Sequence, residues 1–112
     1  MSIPTVVIEL GNSVFRVGFA GESCPRFSAL SAMVASEKHR PDSGEDFYRA
    51  LLRQQWLETL SRILYDCVQV RPKECRVLLL EKLYLKKEDR DSIITVLLRD
   101  LQVSRIRSTR SQ

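Results

Sequence analysis

"VVIELGNSVFRVGFAGESCPR", Val6 to Arg26, decides the fold, because two short apolar runs flank a glycine turn. "TVVIEL" is β-branched and places Val6, Ile8 and Leu10 on one face. In the second run Val14, Arg16 and Gly18 fall on one side and Phe15, Val17 and Phe19 on the other, the period of two that marks a sheet strand. The pair is expected to form a β-hairpin with its turn near Gly11 to Ser13.

Beyond Arg26, "FSALSAMVA" is a weaker candidate for a third strand, and "SEKHRPDSGED" is a polar loop broken by Pro41 and Gly44. From Asp46 the period changes. Phe47, Leu51, Trp56, Leu60, Ile63, Leu64 and Cys67 recur every three to five residues, which predicts one apolar stripe on a long helix capped by Asp46 or Ser43. Pro72 in "VRPKE" ends that helix. "CRVLLLE", Cys75 to Glu81, is an apolar run of strand length suited to burial on both faces. From about Lys86 a second helix places Ile93, Val96, Leu97 and Leu101 on one face. The order strand, strand, strand, helix, strand, helix predicts an α/β chain with a mixed sheet.

The 112 residues bound this to one domain or less. With 44% hydrophobic and 29% charged residues the chain has the balance of a folded protein rather than a disordered one. Its formal charge of +4 is concentrated in Ser104 to Gln112, where Arg105, Arg107 and Arg110 stand without an acid. That distribution argues against a nucleic-acid backbone as the main partner. Residues 104–112 are expected to be a basic, disordered tail, with a serine-containing acid-binding or phosphorylated segment as the alternative. No run approaches the roughly 20 apolar residues of a membrane span, and "MSIPTVVIEL" lacks a signal peptide's basic start. Cys24, Cys67 and Cys75 are odd in number and widely spaced, as expected of reduced intracellular thiols. His39 is the only histidine, so neither a structural zinc site nor a Cys/His catalytic pair has fitting spacing.

Three stretches in order, "GFAGESCPR", "LYDCVQVRPKECRVLLLE" and "LYLKKEDRDSIITVLLRDLQV", resemble the N-terminal part of the actin-related protein family over roughly residues 5 to 103. "GFAGE" followed by Pro25 and Arg26 is the sharpest piece, and the divergent glycine turn is most similar to the family's dynactin branch. The resemblance implies a partial actin-like (ribonuclease-H-like) sheet, with antiparallel strands 1 to 3, then a parallel strand, and two main helices. It also implies that residues 1–103 are the first, incomplete part of such a domain, in a chain that looks truncated.

In the family the turn after the first strand is a phosphate loop, whose positions fall here on Glu9, Gly11, Asn12, Ser13 and Arg16. Glu9 stands where the family has a shorter acid, and Arg16 where it has a lysine, which exchanges a point charge for a planar fork. The resemblance therefore implies a non-catalytic, cytoplasmic structural subunit of the cytoskeleton, with no catalytic residues and no metal site. Its partners would be other actin-related or dynactin subunits, and ATP with Mg would enter only in a full-length form. The alternatives are an ATP-binding actin-superfamily protein, or a small interaction module whose long helix docks through Trp56. With no strand read after the second helix, the Arg76–Glu81 run is expected at an exposed sheet edge that favours hetero-association.

Overall fold

In the computed structural model, which describes residues 3–11, 14–30, 45–81 and 87–110, five strands form one mixed sheet. They are β1 (Thr5–Leu10), β2 (Val14–Phe19), β3 (Phe27–Leu30), β4 (Arg76–Glu81) and β5 (Arg105–Arg110), in the order β3-β2-β1-β4-β5. β1, β2 and β3 form an antiparallel meander, with Leu10 opposite Phe15 and Arg16 opposite Ser28. β4 then adds to the free side of β1 in parallel, Val6 against Val77 and Ile8 against Leu79. Parallel neighbours need a long crossover. The helix α1 (Glu45–Ser61) lies in the connection from β3 to β4, and α2 (Lys87–Thr95) in the connection from β4 to β5.

Alternation along the strands sorts the two faces. Val6, Ile8 and Leu10 of β1, Phe15 and Val17 of β2, and Val77 and Leu79 of β4 are buried in one core with Leu60, Ile63, Leu64, Ile93, Val96 and Leu97 of the helical segments. Val7, Glu9, Leu78 and Leu80 point the other way and are only half-buried. The second helix buries Ile93, Val96, Leu97 and Leu101 as the sequence predicts. The first stripe needs one correction: it runs through buried Leu52, not Leu51, which is exposed. Leu52, Trp56 and Leu60 are spaced four apart, so they stay on one side of the helix, and Leu51 is turned about 100° from Leu52. Trp56 is a core residue. Its ring stacks on Phe15 with centroids 6.3 Å apart and planes within 6°, and its Nε1–H donates to Asp89 Oδ1 at 3.2 Å.

Both helices end in the same way. Each runs on into a π-helical turn, Arg62–Cys67 after α1 and Val96–Asp100 after α2. The amide of Val68 donates to the carbonyl of Ile63 at 3.0 Å and that of Val70 to Leu64 at 2.8 Å; Leu101 to Val96 and Val103 to Leu97 repeat the pattern at 2.8 and 2.9 Å. Gln69 and Gln102 sit at the reversals with φ of 56° and 59°. Left-handed backbone costs a non-glycine residue on the order of 1–2 kcal/mol. Gln102→Gly and Gln69→Gly are therefore expected each to stabilise the chain, by about 0.5–1 kcal/mol after the extra unfolded-state entropy of glycine. Urea midpoints measure this, and a drop at both positions would contradict the shared cap.

The tail expectation is overturned. Arg105–Arg110 is strand β5, in parallel register with β4 from Arg76↔Arg105 to Glu81↔Arg110. The Ser104 amide opens the ladder by donating to the Cys75 carbonyl at 2.9 Å. Backbone bonds hold an edge strand without apolar side chains, and charged residues suit an edge because they discourage stacking of further strands. Only Ile106 packs against the core. It follows that β4 is interior and that, among the described residues, the edge strands are β3 and β5. Asn12, Ser13, His39, Ser43 and most of the predicted loop after β3 lie outside the described residues, as do the side chains of Asp46 and Phe47.

Candidate functional site

The register of the hairpin places Glu9 directly opposite Arg16, on the sheet face that turns away from the helices. Arg16 Nη1 donates to Glu9 Oε2 at 2.9 Å. The Arg16 side chain is 50% exposed and that of Glu9 18%. Gly11 follows directly at the end of β1. Of the five positions that the resemblance marks, the structure brings Glu9 and Arg16 into contact and sets Gly11 beside them, while Asn12 and Ser13 lie outside the described residues. Glu9 and Arg16 line an open depression of about 230 Å³ together with Val7, Gly18 and the turn after β2. Every residue of that turn from Ala20 to Pro25 is exposed.

The "GFAGESCPR" segment builds this turn, and its residue types follow from local geometry. The chain folds back so closely that a side chain on Gly18 would meet Pro25 Cα at 3.1 Å. Gly21 reverses direction at φ +92°, which glycine adopts without a Cβ penalty. The Ala20 amide donates to the Thr5 carbonyl at 2.9 Å and the Arg26 amide to Val17 at 2.8 Å. Arg26 then grips Glu22 with Nε and Nη2 at 2.9 and 2.7 Å and lies over the Phe19 ring, 4.9 Å from its centroid. The motif is thus a clasp between β2 and β3. It walls the depression and contributes no charge to it that is not already matched within the turn.

A second polar cluster was not legible from the sequence. Glu81, only 3% exposed, accepts from Arg90 Nη2 at 2.6 Å and Nε at 3.2 Å on Oε1, and from Ser108 Oγ at 2.5 Å on Oε2. One carboxylate therefore joins β4, α2 and β5. The one trace of it in the sequence is a lone acid closing the apolar run "CRVLLLE", which does not name its partners. A third contact, Arg53 to Asp100 at 3.0 and 2.7 Å, ties α1 to the end of the second π turn.

The hydrogen-bonded arginines hold the Glu22 and Asp100 carboxyls below their usual range. A depressed folded-state pKa adds stability above the unfolded value, near 4, and loses it as pH falls through the lowered one. Thermal midpoints are expected to drop between pH 5 and pH 2, with a shallower drop in Asp100→Asn; an unchanged slope in that variant would exclude Asp100 as a contributor. Burial pushes the Cys75 thiol up to about 11, and Cys67 is raised by burial and by neighbouring Asp66. Cys24 is exposed on the turn.

Among the described residues, no three His, Cys, Asp or Glu side chains converge to hold a metal ion, and no helix is long and apolar enough to cross a membrane. No family model matches the chain, and no curated protein matches it.

Proposed function

We propose that the chain is a non-catalytic structural part of an actin-related assembly, with a sequence that resembles the pointed-end actin-related protein of dynactin, the adaptor of a microtubule motor. On this reading it works in the cytoplasm beside other actin-related or dynactin subunits. The strand, glycine turn and strand that bind phosphate in the family here hold an internal ion pair. The observation that carries the proposal is the Glu9–Arg16 contact at 2.9 Å. A bound triphosphate needs the basic residue, and a hydrated divalent cation needs the acid. In this hairpin each of the two is already the partner of the other, so the phosphate and the cation would both have to displace it. The residues present therefore fit Mg-ATP poorly.

The sheet supports the lineage half of the proposal. Three antiparallel strands, then a parallel strand on the far side of β1, with two helices in the crossovers, is the architecture that the resemblance implies. The assignment to an actin-like, ribonuclease-H-like fold belongs to the proposal. Among the described strands, the edges at β3 and β5 are where another chain could add to the sheet. Calorimetric titration with Mg-ATP separates this reading from that of a nucleotide-binding protein. No saturable heat and no thermal shift are expected at millimolar ligand, and saturable binding in the micromolar range would replace the proposal with the second reading.

A further inference from the structure

We propose that Ser108 is a phosphorylation site for a basophilic protein kinase and that its phosphorylation releases β5 from the sheet. This proposal does not rest on the actin-related reading. Three observations meet at Ser108. The first is charge: Arg105 lies three residues before it, Arg107 one before and Arg110 two after, with no acid from Val103 to Gln112. Such a segment complements an acidic peptide groove. Ser104 has an acid four residues before it, Asp100, and no arginine among the four residues before it, while Thr109 has Ile106 in place of the arginine at minus three. The second is access: among the described strands β5 is an edge strand paired only with β4, and Ser108 is exposed. An extended edge segment is the kind of backbone that a kinase groove can take up after local opening.

The third is the consequence. The Ser108 hydroxyl donates to Glu81 Oε2 at 2.5 Å, and Glu81 is also held by Arg90. In the transfer Ser108 Oγ forms a bond to the γ-phosphorus of ATP, the bond from that phosphorus to the bridging oxygen breaks, ADP leaves, and the hydroxyl proton passes to the kinase's base. The product carries about −1.5 to −2 charge at neutral pH. Glu81 then loses a donor and gains a like charge next to it, in a site where it is almost fully buried. Arg90 is drawn to two anions and cannot satisfy both in its present position. The backbone ladder and the packing of Ile106 then hold β5, and its release uncovers the far edge of β4.

The test treats the purified chain with cyclic-AMP-dependent protein kinase and Mg-ATP, maps the phosphate by mass spectrometry and follows amide exchange. The expected result is one phosphate on Ser108, none in Ser108→Ala, and exchange over residues 105–110 accelerated by about tenfold or more in the modified chain. Ser108→Ala, which removes the hydrogen bond without adding charge, is expected to accelerate exchange much less. Glu81→Gln should weaken the effect of phosphorylation, since it removes the repelled charge. Three results would overturn the proposal: no incorporation into the native chain, incorporation at Ser104 or Thr109 with Ser108 unmodified, or phosphorylated Ser108 with unchanged exchange in β5.

Discussion

Trp56→Ala is expected to destabilise the chain by about 3–5 kcal/mol, the usual cost of emptying a buried tryptophan site. The indole is the common neighbour of three elements. It stacks flat on Phe15 of β2, belongs to α1, and donates to Asp89 of α2. Truncation opens a cavity where sheet and helices meet, and it leaves the Asp89 carboxylate without that donor. Domains of this size hold roughly 5–15 kcal/mol in total, so most of the native population is at stake. Urea unfolding should show a lower midpoint at an unchanged slope. Trp56→Phe keeps a stacked ring and loses only the N–H, so about 1 kcal/mol of hydrogen bond plus the smaller ring's lost area is expected. Equal losses in the two variants would mean that the stack contributes nothing.

Glu81→Ala has the second large effect, about 3 kcal/mol. Removing one partner of a buried ion pair typically costs 3–5 kcal/mol because the other charge is left without compensation. Arg90 keeps 26% of its side chain exposed, which places the expected loss at the lower end. Ser108 loses its acceptor in the same variant, so β5 should fray first. Replacing the pair together, Glu81→Leu with Arg90→Met, is expected to recover most of the loss, since a packed apolar pair often matches a buried ionic one. A double variant as unstable as Glu81→Ala would show that the site needs its charges and not merely their mutual cancellation.

Period carried most of the fold. The alternation in β1 and β2 and the stripe of α2 reach the core side that their spacing predicts, whereas the apolar run of β4 is buried on one face alone, Leu78 and Leu80 on the other being only half-buried. β5 escaped because three of its six residues are arginine, and an edge strand is held by backbone bonds that leave little trace in side-chain hydropathy. Leu51 and Leu52 are adjacent and fit a stripe of loose spacing equally well, so spacing alone does not tell the buried leucine from the exposed one. The helix ends "DCVQV" and "RDLQV" share a Gln-Val pair, but glutamine is not a residue that announces a left-handed cap, so the sequence alone does not predict them.

The candidate site was half legible. A turn at Gly11 to Ser13 that sets Leu10 against Phe15 also sets Glu9 against Arg16, so their contact followed from hairpin register. The Glu81 cluster did not follow from local sequence. Its members come from β4, α2 and β5, and only tertiary packing brings Arg90 and Ser108 to one carboxylate.

The most direct test of the proposed function is native co-purification of the tagged chain from cytosol, with quantitative mass spectrometry of what remains bound. The expected result is enrichment of actin-related and dynactin subunits in fixed proportion to the chain, persisting after ATP and magnesium are removed. Recovery of the chain with none of those subunits enriched over a control would contradict the account.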